Sequence, residues 1–246
     1  MMRERGVSVF SVTDHDSLGA YPWLRDAIAP GSRLVVGIEI NTTYEGNEVH
    51  VLGYGLPLDD PAFNAVIEEN RQARDVRARK MVDRLRSGGY PITFEDVLEQ
   101  AIPGAPLGRP HVAKALIKAG IATSVADAFE SFLAPQRLGY VPSLYITPHR
   151  AVEVISRAGG VSALAHPGRL KDLKLIDELA EAGMVGLEVF YPRHDPAQVA
   201  LFRTKARDHG LVMTAGADFH DPRYNLHGVG MDVDEADIRP FLDLVL

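Results

Sequence analysis

The chain has 246 residues, enough for one α/β barrel or for a core domain carrying an insertion. A hydrophobic share of 46% with 24% charged residues is that of an ordinary globular protein, and a formal net charge of -7 argues against a protein that coats nucleic acid non-specifically. There are no cysteines, so disulfides and thiolate metal sites are excluded, and any metal must be held by His, Asp and Glu.

No apolar run approaches the ~20 residues of a membrane span. The charged start, Met1 to Gly6, has no signal-peptide core behind it. The expectation is a cytoplasmic protein without a membrane partner. Arg3-Glu4-Arg5-Gly6 reads as the last turn of a helix feeding a strand, so the chain is expected to start inside a fold. That strand covers residues 7–12 and ends at Thr13-Asp14-His15-Asp16-Ser17. Asp16 or Ser17 is placed to cap a helix over residues 18–29, closed by Pro30-Gly31. Residues 33–40 form a second strand in which Glu39 sits among apolar neighbours. A lone buried carboxylate is costly, so Glu39 must meet a cation, hydrogen-bond donors or a metal. Residues 48–54 form a third strand with His50 similarly embedded. Glu45-Gly46-Asn47 reads as the turn of a hairpin able to bring Glu39 and His50 together.

From residue 58 the texture becomes helical. Residues 63–85 have helical periodicity, Thr93 opens a short helix by capping-box logic, and further helices cover residues 112–119 and 124–133. Interspersed acids assign Arg71, Arg74, Arg77 and Arg79 to a solvated helix face. Strand and helix alternate again after Pro148: helices over residues 149–157, 170–182 and 196–208, strands over residues 161–165, 185–190 and 211–214. This order predicts largely parallel strands in a barrel or doubly wound sheet, where ligands gather at the strands' carboxyl ends. Residues 1–57 and 148–246 would build the barrel, and residues 58–147 a helical insertion. Asp14, His15, Glu39, His166, Asp218 and His220 all fall at such ends. In extended backbone Asp218 and His220 would share a side and turn Phe219 into the core. An oxygen ligand beside imidazoles suits Zn, Mn or Fe.

Five motifs in order then carry a resemblance: Thr13-Asp14-His15-Asp16, Gly37-Ile38-Glu39-Ile40, Val49-His50-Val51-Leu52-Gly53, Ala165-His166-Pro167-Gly168-Arg169 and Gly216-Ala217-Asp218-Phe219-His220. Together they resemble the PHP (polymerase and histidinol phosphatase) domain, and Gly108-Arg109-Pro110-His111 is similar to its single-domain branch acting on nucleotides and short RNA. The resemblance implies a distorted seven-stranded β/α barrel with an inserted helical subdomain and two or three divalent metals (Mn, Zn or Fe). It implies Glu39, His50 and His166 as ligands of one metal, with Glu39 bridging to a second. Asp218 would serve that second metal, and His15 and His220 a third. Asp14 matches the motif's acid, while Arg109 and Arg169, with His111 and His194 behind them, match positions near a substrate phosphate.

The family's opening H-x-H-S motif has no counterpart, since His15 is the first histidine. The first strand of the barrel is therefore expected to be missing. The function implied is hydrolysis of a phosphate ester of a 3',5'-nucleoside bisphosphate or of the 5' end of a short oligoribonucleotide. Two alternatives stand beside it: a degenerate module that binds metal or a partner without hydrolysis, and an amidohydrolase-like enzyme cleaving C–N bonds. Against the latter, no Lys is placed as a carbamylated bridge.

Overall fold

The computed structural model describes residues 2–24, 28, 31–102, 105–220 and 227–246. Among these, six strands form one curled sheet in sequence order, a mixed α/β half-barrel. β1 (Val9–Val12) is parallel to β2 (Arg33–Tyr44). β3 (Asn47–Tyr54) runs antiparallel to β2 and to β4 (Val161–Leu164). β5 (Gly186–Phe190) and β6 (Val212–Ala215) then follow parallel to β4. The reversed strand, β3, is the second arm of the expected hairpin. Its turn residues Glu45 and Gly46 have φ of 47° and 73°, the left-handed pair that matches strand twist in a two-residue turn. Pairing therefore continues to Tyr44 and Asn47, and β2 outruns its expected end at residue 40.

Alternation divides the sheet into two faces. The convex face presents Ile38, Ile40, Val51, Leu164, Leu187 and Val189 to the core under α6 (Pro148–Arg157), α7 (Lys174–Glu181) and α8 (Pro196–Asp208). The concave face carries Val35, Leu52, Tyr54, Ala163 and Ala165, closed by Phe241 and Val245 of α9 (Glu235–Val245). The Tyr54 and Phe241 rings meet edge to face at 4.9 Å. Glu39 and His50 share this concave register, nearer the open end.

α2 (Pro61–Ser87) spans about 40 Å at the helical rise. Asp60 caps it by accepting the Phe63 amide, and Pro61 fits the first turn. Phe63 and Ile67 in its first half enter the sheet-side core. Met81, Val82 and Leu85 in its second half build a separate core with α3 (Phe94–Leu98), α4 (Arg109–Lys118), α5 (Val125–Ala128) and a π-helical turn, Phe129–Leu133.

Four local expectations are corrected. Arg74 and Arg77 are buried rather than solvated, because they lie on the same stripe of α2 as Phe63, Ile67 and Met81. Asp16 caps no helix; it is fully buried against Arg74, while Ser17 Oγ accepts the Gly19 amide. The helix expected over residues 170–182 begins only at Lys174, whose amide donates to Asp172, after a 3-10 turn at Pro167–Arg169. Of the helix expected over residues 18–29, α1 (Tyr21–Leu24) is present; residues 25–27 and 29–30 lie outside the described residues.

Candidate metal centre

The β1–β2 pairing runs on past the end of β1. Glu39 donates its amide to the Asp14 carbonyl at 3.2 Å, and Asp16 donates to the Glu39 carbonyl at 2.9 Å. His15 is thereby set beside Glu39. In the hairpin Asn41 stands opposite His50 and Glu39 opposite Leu52, so Glu39 and His50 are diagonal neighbours on one face. β4 delivers His166, after the Ala165 amide has donated to the His50 carbonyl.

The donor atoms converge. Glu39 Oε1 lies 2.7 Å from His50 Nδ1 and 3.2 Å from His166 Nε2, and those two nitrogens are 3.2 Å apart. Glu39 Oε2 is 3.6 Å from His15 Nδ1. A tetrahedral ion with ~2.1 Å bonds holds its ligand atoms roughly 3.4 Å from one another. The triangle is slightly tighter than that, and its His/Glu/His chemistry suits a divalent transition metal. The residues fit such an ion.

A second group flanks the first. Tyr191 donates its hydroxyl to Asp218 Oδ2 at 3.0 Å and sets its ring 5.7 Å from that of His166. His220 Nδ1 is 3.3 Å from Asp218 Oδ1, and the His220 and His15 rings are 5.8 Å apart. The pair does converge, but not by strand alternation. β6 ends at Ala215, Asp218 turns left-handed at φ 46°, Phe219 is only partly buried, and His220 is exposed. Asp16 and His166, with φ of 48° and 30°, are left-handed too. Each such non-glycine residue costs on the order of 1–3 kcal/mol, strain that concentrates at functional sites.

Electrostatics in this corner pull the individual groups in opposite directions. Burial alone would lower His50, but the Glu39 carboxylate and the hydrogen bonds to Glu39 and Glu48 raise it to about 9. His15 falls to about 4 through burial and the nearby His50 and Arg74 charges, against the pull of Glu39. Glu39 is held well below the ordinary carboxylate range: burial opposes this, yet the His15 and His50 charges and the histidine hydrogen bonds prevail. Glu188 is pushed up to about 8 by burial, aided by Glu39 and Asp218, although it accepts the His166 amide at 2.7 Å. Asp14 stands at the exposed rim, where desolvation raises its carboxyl and His220 lowers it.

The remaining expected residues fall around this core. Arg109, at the start of α4, reaches Glu48 Oε2 at 3.4 Å and lies over the Phe129 ring. Arg169 is exposed at the end of the 3-10 turn. His194 is engaged at both nitrogens, Nδ1 with the Val189 carbonyl at 2.9 Å and Nε2 with the Gly168 amide at 3.2 Å. It braces the turn that carries His166. His111 Nδ1 accepts the Gly108 amide at 3.0 Å and closes the capping of α4.

No family model matches the chain. It is 34% identical over 227 residues to the 5'-3' exoribonuclease Rnm of Salmonella typhimurium, an alignment spanning 89% of this chain and 77% of the relative. The 3',5'-nucleoside bisphosphate phosphatase of Chromobacterium violaceum is 30% identical over 236 residues, 92% of this chain and 81% of that one. A solved structure from Bifidobacterium adolescentis, described as a metal-dependent phosphoesterase, superposes with a TM-score of 0.88 at 30% identity, over 100% of this chain and 88% of the other. The chain belongs to the PHP phosphoesterases.

Around the centre of this phosphoesterase stand residues that sequence reasoning missed or misplaced. Asp16 accepts from the Asn41 amide, Asn41 Nδ2, Asn70 Nδ2 and Arg74 Nε, which pins the loop after β1 to β2 and α2. Glu48 links His50 to Arg77 and Arg109. Glu188 holds the His166 backbone by accepting its amide. The available signal was the run Asn70, Arg74, Arg77, polar residues at helical spacing inside an otherwise apolar stripe.

Proposed function

We propose that this phosphoesterase hydrolyses a phosphate monoester or terminal phosphodiester of a nucleotide, either a 3',5'-nucleoside bisphosphate or the 5' end of a short oligoribonucleotide. The observation that carries this reading is the convergence of Glu39, His50 and His166 beside His15, Asp218 and His220, with Arg109 at its edge. The substrate class follows the exoribonuclease and bisphosphate phosphatase relatives.

Glu39, His50 and His166 would hold one divalent ion, Asp218 with Glu39 a second, and His15 with His220 a third; manganese, zinc and iron all suit these donors. When bound, such ions polarise phosphoryl oxygens and provide a water acidic enough to attack phosphorus near neutral pH. Arg109 and Arg169 neutralise the phosphate with directed N–H···O bonds. Asp14, on the open rim beside His15, handles the proton of the departing oxygen. Tyr191 orients Asp218, and Glu188 and His194 fix the turn that presents His166. Residues 58–147 roof the cleft and limit substrate length, and the chain acts in the cytoplasm.

The test is phosphate or mononucleotide release with manganese, offering adenosine 3',5'-bisphosphate and a 5'-phosphorylated oligoribonucleotide to the wild type and to His166→Ala. Release from either substrate that is lost in His166→Ala supports the reading. Absence of release from both, with manganese bound, refutes it.

A further inference from the structure

Glu48 is the one carboxylate among the described residues that touches both the histidine cluster and the arginines of the helical segment. It lies two residues before His50 on β3, so both side chains leave the same face of the strand. Its Oε1 is 3.4 Å from His50 Nε2, while Oε2 lies 3.2 Å from Arg77 Nη1 and 3.4 Å from Arg109 Nη2. Arg77 is fixed independently: its Nε donates to the Val141 carbonyl at 2.9 Å and its Nη1 to the Tyr145 hydroxyl at 3.1 Å. Arg109 has Glu48 as its ion-pair partner and is partly exposed at the first position of α4.

An imidazole that presents one nitrogen to a metal is oriented by what its other nitrogen does. His50 turns Nδ1 toward Glu39 and His166, which leaves Nε2–H to donate to Glu48. We propose that Glu48 is a positioning residue with two attachments: it fixes the ring and tautomer of His50, and it holds Arg109 ready beside the cluster. The Arg109 part rests on the phosphoester reading; the His50 part does not. Arg77 fixes the carboxylate, and Arg109 remains the cation that can exchange Glu48 for an incoming phosphate.

The experiment is manganese titration by calorimetry on the full chain and on Glu48→Ala and Glu48→Gln, with no substrate present. Loss of an outer partner of a metal-binding histidine costs about 10–100-fold in affinity, and that loss is expected for Glu48→Ala. Glu48→Gln keeps a carbonyl acceptor for Nε2–H and should recover most of the affinity while raising KM for a phosphate ester. A bridge that merely staples α2 and α4 to the hairpin would lower thermal stability in chelator and leave affinity intact. Affinity of Glu48→Ala within about threefold of wild type therefore overturns the proposal.

Ring-nitrogen NMR of the zinc-loaded wild type gives a reading that needs no variant to fold. A proton on His50 Nε2 supports the assignment and a proton on Nδ1 overturns it. Wild type that binds no manganese overturns it as well. Metal affinity that depends on Glu48 in a chain releasing no phosphate would refute the substrate reading and leave this one standing.

Discussion

Asp16 and Arg74 form the most buried ion pair among the described residues, and Asp16→Asn tests what that pair does for the fold. Asp16 is wholly buried and Arg74 is 7% exposed, with Nε 2.6 Å from Oδ2. Oδ1 accepts from the Asn41 amide at 3.0 Å and Asn70 Nδ2 at 2.9 Å; Oδ2 accepts from Arg74 Nε and from Asn41 Nδ2 at 2.8 Å. An amide here presents an NH₂ to one of those pairs of donors, whichever way it flips. Two bonds are lost, and the Arg74 cation is left without its counter-charge in the interior. Hydrogen bonds to charged groups are worth about 1.5–3 kcal/mol each. Removing one partner of a buried pair costs about 3–5 kcal/mol, so the two routes agree. For a chain of this size each kcal/mol moves Tm by about 2–4 °C, giving a drop of roughly 6–20 °C. Thermal and urea unfolding in chelator should show this loss with an unchanged urea slope. Pairing Asp16→Leu with Arg74→Met should cost less than the two single changes added together, since no lone charge remains. A loss below about 1 kcal/mol for Asp16→Asn, or strict additivity in the double variant, refutes the reasoning.

Three further outcomes follow from the same geometry. A methyl group at Gly216 would overlap Glu188 Oε1, so Gly216→Ala should push Glu188 off the His166 amide and weaken manganese binding; calorimetry showing unchanged affinity would count against that bracing role. Saturating manganese should stabilise the wild type by about 2.7 kcal/mol at a hundredfold excess over Kd, about 5–11 °C in Tm, and chelator should reverse it. His166→Ala should lose most of that increment. Asp177, paired with Lys205 and His209, is held below its ordinary value of 3.8 by the Lys205 hydrogen bond first of all. A carboxyl lowered in the folded state adds stability that is present above 3.8 and is lost as pH falls through the lower folded value. Asp177→Asn should therefore flatten the stability profile in that acid window and leave its slope near neutrality unchanged.

Much of the architecture was legible because it follows period and punctuation. Glu45-Gly46 announced the hairpin, and its register then puts Glu39 and His50 on one face without further information. Strand-end histidines gathered because parallel strands share their carboxyl ends. What was not legible depended on contacts between distant segments. Acids between Arg71 and Arg79 read as a solvated surface, yet the stripe Phe63, Ile67, Asn70, Arg74, Arg77, Met81, Leu85 buries its polar members with its apolar ones. Their partners, Asp16, Asn41 and Glu48, come from strands and loops some 30–60 positions earlier. The conformation of Asp218 was also beyond pattern reading, since alternation holds only while strand pairing lasts, and pairing stops at Ala215.

These contacts give a physical reason for the division of labour between sheet and helices. The concave corner collects Asp14, Glu39, Glu48, Glu188 and Asp218, in a chain whose net charge is already -7. Phosphate would be repelled from such a floor unless cations reverse its field, and bound divalent ions are the largest local charges a site can carry. The permanent cations come from elements outside the sheet. Arg109 comes from a helix with a core of its own, and Arg169 from a turn braced by His194. Neither guanidinium touches Glu39, so neither competes for the carboxylate that gathers His15, His50 and His166. Glu48 absorbs Arg77 and Arg109 on one oxygen and faces His50 with the other. A single carboxylate thus stands between the guanidiniums of the helical segment and the imidazoles of the strands, within a few ångströms of both.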